Sequence, residues 1–313
     1  MAWGSWLRMP GQSHRGPVDP LAADARELRE ALERDVRTLA LEIGERNVGR
    51  PSGLARAAAH VEEALGRSAL PVGVQAYSVG GTPCKNFEVE LRGRELPDEI
   101  VVVGAHYDSA PGTPGADDNA SGTAALIQLA WRLRLLAAPH RRTLRLVAFV
   151  NEEPPWFQTP DMGSWRYAKR SRERGEKIVA MLSLETIGYF SEQDGSQKYP
   201  PPLGFFYPSR GDFIGFVGNP GSKELVRSAI GAFRDHARFP SEGAAVPGVL
   251  PGVGWSDHWA FWQEGYPAIM VTDTAPFRNP HYHAATDTPD HMDFERMTRV
   301  VLGLEHVIAA LAG

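Results

Sequence analysis

Cysteine is nearly absent: Cys84 is the only one in 313 residues. A lone thiol excludes an internal disulfide and a thiolate zinc cluster, so any metal would need His and carboxylate ligands. Cys84 itself reads as a small buried hydrophobe. Long apolar runs are missing too. None approaches the ~20 residues of a membrane span, and the opening MAWGSWLRMPGQSHRGP contains no signal h-region. As written the chain is expected to be cytoplasmic, and exported only if its natural start is longer. There is no excess of positive charge, since 33 Lys and Arg against 38 Asp and Glu leave a net charge of -5. The basic residues are scattered, which argues against nucleic acid or an anionic membrane as main partner. Internal repeats and low-complexity linkers are also lacking, and nothing in the sequence speaks to oligomeric state.

What remains is an ordinary globular composition, 42% hydrophobic and 23% charged, enough for one large core. Residues 1–20 read as a flexible Pro/Gly-rich lead-in and 21–313 as a single domain. Apolar residues at helical spacing predict helices over 21–47, 54–65, 121–138, 165–172, 222–233, 257–263 and 293–311. Short apolar or alternating runs predict strands near 72–77 and 86–91, which form a hairpin, and at 99–105, 143–150, 178–184, 213–217 and 268–272. Residues 190–208 and 240–254, rich in Gly and Pro, read as loops. Strands alternating with helices imply an α/β fold with a sheet covered on both faces.

The chain is organised around Val101–Gly122, VVVGAHYDSAPGTPGADDNASG, in which a buried strand runs into a loop bearing one histidine and three aspartates. Asp108 follows His106 closely enough to accept a hydrogen bond from the far imidazole nitrogen. The adjacent carboxylates Asp117 and Asp118 repel one another unless a cation neutralises them. The plainer alternative is that Asp118, Asn119 and Ser121 cap the helix that follows. Beyond this stretch, Glu152 with Glu153, and Glu185, each directly follow a predicted buried strand, and His283 lies in the loop after another. In open α/β sheets, sites form outside the carboxyl ends of the strands. Several acids in one cleft are strongly self-repelling, at roughly 4 kcal/mol for a pair ~4 Å apart at an effective dielectric of 20. Two imidazoles with carboxylates and no thiolate suit zinc, or manganese or cobalt. Glu152 and Glu153 would point in opposite directions on an extended backbone, so both can serve one site only if the chain turns there.

Other residues have competing readings. His281 could face the same way as His283, His258 reads as structural, and Asp257 as orienting a neighbour. Asp287 and Asp290 could brace the next helix. Trp255, Trp259, Phe261 and Trp262 are either pocket lining or core. His14, His60, His140, His236, His291 and His306 read as surface or packing residues.

Taken in order, HYDS, GADDNASG, NEE, LETIGY, SDH and YHAATDTPD resemble the co-catalytic zinc aminopeptidase family, which also includes glutaminyl cyclases and transferrin-receptor-like proteins. The resemblance spans about residue 85 to the C-terminus. It implies a three-layer α/β/α sandwich around a mixed, mostly parallel sheet, and two Zn2+ per chain. Asp117 would bridge the ions, His106 and Glu185 would complete one site, and Glu153 and His283 the other. Glu152 would be the general base with Asp108 beside it, and the Asp117–Asp118 peptide bond is often cis in such proteins. The implied activity is removal of the N-terminal residue from a peptide substrate by a metal-activated water. Glu185 departs from the Asp of well-studied aminopeptidases, which leaves open a glutaminyl cyclase or a carboxypeptidase-type relative. A non-catalytic binding protein on the same fold is a further alternative, disfavoured by the intact base and ligand set.

Overall fold

The computed structural model describes residues 6–18, 20–135 and 140–313. In chain order the elements are α1 (Ala23–Arg37), α2 (Pro51–Gly66), β1 (Val72–Val79), β2 (Thr82–Leu91), β3 (Leu96–His106), α3 (Gly122–Leu135), β4 (Arg142–Phe149), α4 (Gly163–Glu173), β5 (Lys177–Glu185), β6 (Ile214–Gly218), α5 (Lys223–His236), β7 (Ser241–Ala245), α6 (His258–Gln263), β8 (Ala268–Thr272) and α7 (Phe294–Ala312). The strands form one eight-stranded sheet of order β1-β2-β4-β3-β5-β8-β6-β7. Its centre, β4-β3-β5-β8, is parallel, while the β1–β2 and β2–β4 pairs and the β6–β8 pair are antiparallel.

Side-chain alternation sends each central strand to both faces. Val101, Val103 and Ala105 of β3 join a core covered by α1, α2, α3, α5 and α7. Ile100 and Val102 point the other way, into a core with Phe149, Tyr167 of α4 and Phe261 of α6. This is the expected three-layer α/β/α sandwich, with β3 and α3 buried because they are apolar nearly all round. No helix among the described residues is long and apolar enough to cross a membrane.

The differences from the sequence reading are local. The helix expected over 21–47 ends at Arg37 and continues as a wide π turn over Thr38–Ile43, stopped at Gly44. The loop expected over 240–254 contains β7, whose sequence SEGAA has neither alternation nor β-branched residues. Its strand geometry comes from pairing with β6. The lead-in makes specific contacts where it is described. Ser13 Oγ accepts the Ser241 N–H (2.9 Å), and the Arg234 guanidinium donates to Pro10 O (2.9 Å).

The parallel centre decides where chemistry can sit. β3, β4 and β5 all end on the same side of the sheet, at His106, just before Glu152 and at Glu185. The β8 exit carries the chain to His283 on that side as well.

Candidate metal centre

Each side chain reaches the cleft because the backbone turns sharply at a strand end. Asn151, Thr186 and His283 have left-handed φ values of 62°, 47° and 54°. For the β-branched Thr186 that conformation is strained, and it sits directly after Glu185. The turn at Asn151 resolves the Glu152–Glu153 problem. Glu152 Oε2 lies 3.8 Å from His106 Nε2, whereas Glu153 Oε2 lies 3.1 Å from His283 Nε2. Both glutamate N–H groups donate to one carboxylate, Glu152 to Asp108 Oδ1 (3.3 Å) and Glu153 to Asp108 Oδ2 (3.2 Å). Asp108 thus holds the paired acids by their backbone. His106 Nδ1 is 3.5 Å from Asp108 Oδ1 and has no hydrogen-bond partner.

At the aspartate doublet the structure corrects the assignment drawn from the resemblance. Asp118, not Asp117, stands between the histidines: Oδ1 is 3.3 Å from His106 Nε2 and Oδ2 is 3.1 Å from His283 Nε2. Asp117 turns away, its carboxylate accepting the Gly188 N–H (2.9 Å) and the Asn279 Nδ2–H (2.9 Å). The cis bond is likewise one step on, between Asp118 and Asn119. Nothing in the letters DD says which neighbour faces inward. That is decided by the left-handed Gly115 (φ 60°), where a Cβ would meet Asp118 O at 2.3 Å, and by Asp287. Asp287 accepts the N–H of both aspartates, at 2.9 and 3.1 Å. Asn119 supplies the cap, taking the Gly122 N–H at 3.0 Å.

Two sets of ligand atoms result, His106/Asp118/Glu185 and Asp118/Glu153/His283, each within 4.8 Å of one another and sharing Asp118. Glu185 reaches His106 Nε2 at 3.3 Å and accepts a hydrogen bond from Ser256 Oγ at 2.6 Å. His106 Nε2, Asp118 Oδ1 and Glu153 Oε1 are buried and hydrogen-bond to nothing. Such atoms are costly unless a ligand satisfies them, and a divalent cation suits this set of imidazole and carboxylate donors. Their ionisation reports the same crowding. Burial, with Asp118 beside it, pushes the Glu153 carboxyl up to about 8 despite His283. Burial also holds Glu152 well above the carboxylate range; His106 opposes this, while the nearby Glu185 and Glu153 add to it. Burial works against charge on His283, yet Asp118 and Glu153 raise it to about 10. Asp118, though buried, is drawn below the usual range by the two imidazoles.

The remaining candidates divide cleanly. His281 bonds Thr286 Oγ1 (2.9 Å) and stacks on His291, outside both sets. His258 is buried with Nε2 on Val253 O (2.8 Å), a structural role. Phe261 is core, packed on Phe149 and Tyr167, and Trp259 stands edge-on to Trp165, while Trp255 lines a cavity beside Glu185. Sequence reasoning missed Arg46. Its side chain is fully buried, and its guanidinium donates to Tyr107 O (2.7 Å), Gly115 O (2.7 Å) and Pro114 O, clamping the acidic loop. An arginine in a helix-to-helix connection carries no signal of this kind. It also missed Ser256 and Asn279, whose partners lie 71 and 162 residues away.

Two clefts flank the ligand sets. On the Glu185 side lies a cavity of about 90 Å³ reaching β7. On the other side a cleft is bounded by Glu45, Asn47, Asp108, Glu153 and Trp156.

YfbL, an uncharacterized protein of Escherichia coli (strain K12), is 39% identical over 285 residues, covering 88% of this chain and 86% of its own. A probable leucine aminopeptidase of Arthroderma otae is 26% identical, covering 95% of this chain and 74% of its own. BSAP, a zinc aminopeptidase from Bacillus subtilis, shares the fold with a TM-score of 0.69 at 15% identity, over 90% of this chain and 94% of its own. Residues 86–308, a span that contains both ligand sets and Glu152, match the profile of peptidase family M28, and the chain belongs to that family.

Proposed function

We propose that this protein is a zinc-dependent aminopeptidase that binds two zinc ions per chain. His106, Asp118 and Glu185 hold one, and Asp118, Glu153 and His283 the other. The observation that carries this reading is the shared, buried Asp118, each of whose oxygens faces a different triad. Family membership and the similarity to a probable leucine aminopeptidase support the peptidase assignment and the direction of attack.

Bound there, two zinc ions would lower the pKa of a water and polarise the scissile carbonyl. The chain's own residues supply the rest. Glu152 belongs to neither triad, yet its carboxylate lies 3.8 Å from His106 Nε2, at the edge of the first. Asp108 accepts its backbone N–H and so fixes the turn that brings the carboxylate to this edge. Glu152 therefore takes the proton from the attacking water and delivers it to the leaving amine. Ser256 holds Glu185 Oε2 from behind and restricts the longer side chain that stands where well-studied aminopeptidases carry Asp.

The test is a peptide panel with and without chelator. A peptide with a free amino terminus should lose its first residue, and both acetylation of that terminus and prolonged chelation should abolish the loss. Equal cleavage of acetylated and free peptides, release from the carboxyl end, or cyclisation of an N-terminal glutamine in place of cleavage would overturn the reading.

A further inference from the structure

The cavity on the Glu185 side has a floor that can be read from strand register. Glu185 pairs with Thr272 of β8, Thr272 with Gly215 of β6, and Gly215 with Glu242 of β7. These four residues form one row across four strands, and all four line the cavity. Three strand spacings separate the ends, so Glu242 stands about 14 Å across the sheet from Glu185. Gly215 contributes no side chain to the middle of the row. The next row, Met270–Val217–Ala244, is apolar, and Leu203, Phe213 and Val253 add apolar walls.

Most polar groups in this lining are already engaged. Tyr199 and Tyr207 donate to Pro208 O and Gly243 O, and Gln197 is shared between Thr274, Lys198 O and Arg278. Glu242 is only partly engaged. Its nearest cation, Arg234, is 3.9 Å away, and that guanidinium is directed at Ser241 O (2.6 Å), Ser241 Oγ (3.1 Å) and Pro10 O (2.9 Å). Burial raises the Glu242 carboxyl above its ordinary range even though Arg234, a hydrogen bond with Ser13 and the charge of Arg15 all favour the carboxylate, so a further cation arriving from the cavity side would be favoured.

We propose that this cavity receives the side chain of the substrate's N-terminal residue and selects lysine or arginine there, with Glu242 as the specificity-determining carboxylate. The apolar walls cover the methylene stem of such a side chain, and its charged end meets the acid at the β7 edge. This rests on the aminopeptidase reading, with Glu185 marking the reactive end of the row.

The experiment uses the zinc-supplemented full chain and methylcoumarin amides of Lys, Arg, Leu, Met and Glu. Lys and Arg should exceed Leu in kcat/KM by about tenfold or more, and Glu242→Gln should remove that advantage while leaving Leu within about twofold. Preference for Leu or Met, preference for Glu at the exposed Lys198, or an equal loss on all substrates in the variant would overturn the assignment. Calorimetric binding of L-lysinamide against L-norleucinamide provides a second readout. Lysinamide should bind about tenfold more tightly to the wild type and no better to Glu242→Gln. If no aminoacyl amide is hydrolysed but this difference holds, the peptidase reading fails and the cavity assignment stands. If hydrolysis proceeds and the two amides bind alike, the cavity assignment alone fails. The wild-type comparison needs no variant to fold.

Discussion

Neighbouring acids with different partners should fail differently when they are neutralised. Asp118 faces two imidazoles, so Asp118→Asn should abolish tight zinc binding at both positions and reduce activity to background, by elemental analysis and peptide assay. Asp117→Asn keeps the contour of a group that lies outside both triads, bonded to Gly188, Asn279 and the Asp273 carboxyl, and should retain bound zinc and most activity. The reverse result would restore Asp117 as the bridging residue. The glutamates make a second contrasting pair. Glu153→Gln should lose zinc and regain part of its activity in excess zinc. Glu152→Gln should keep its zinc and lose roughly 10² to 10⁴ in kcat. His258 gives a pH test. Its pKa is depressed to about 4 by burial. Because the folded pKa lies below the unfolded value of ~6.5, the unfolded chain binds more protons between these limits. His258 therefore costs no stability above pH 6.5, and up to about 3 kcal/mol is lost as pH falls from 6.5 to 4. Urea melts of wild type and His258→Gln at pH 7 and pH 5 should show a smaller drop for the variant.

At the level of elements, legibility followed the source of each element's shape. β3 and β8 could be read because their apolar runs are themselves the reason for burial. β7 could not, because SEGAA becomes a strand only through its partner β6. The same division holds in the site. His106, the Glu152–Glu153 pair and Glu185 could be picked out as polar residues directly after buried strands and His283 in the loop after another, with the ligand roles implied by the resemblance, whereas the choice between Asp117 and Asp118 depends on Gly115 and on Asp287 from a distant loop. The acidic loop has its own test. Arg46→Met removes the clamp on Tyr107 O, Pro114 O and Gly115 O, leaving the buried Tyr107 O and the part-buried Pro114 O without this donor while Gly115 O keeps the Ala120 N–H. Losses of ~1–3 kcal/mol per unsatisfied group predict a stability drop of several kcal/mol, together with weaker zinc binding, measurable by denaturant titration and zinc competition.

For the molecule as a whole, zinc should behave as a structural ligand as well as a catalytic one. The cleft gathers Asp118, Glu152, Glu153 and Glu185 with their carboxylates buried, and a ligand that binds only the folded state raises its stability. At free zinc 100 times the dissociation constant the gain is about 2.7 kcal/mol per site. Chelation should therefore lower Tm by several degrees in calorimetry, and restored zinc should recover it. An unchanged Tm in protein shown by elemental analysis to have lost its zinc would count against tight binding at these sites.

The Asp287 contacts to Asp117 and Asp118 have a consequence in time. They join positions 170 and 169 residues apart, and the clamp from Arg46 reaches 69 residues in the other direction. As the chain is synthesised, the aspartates emerge long before the residue that orients them, and His283 emerges almost as late. A nascent chain that ends at β8 has the sheet's parallel centre but neither His283 nor the carboxylate that sets the acidic loop. Peptidase activity is thus withheld until the segment that carries His283 and Asp287 has joined the sheet, and a newly made chain cannot cut its neighbours before then.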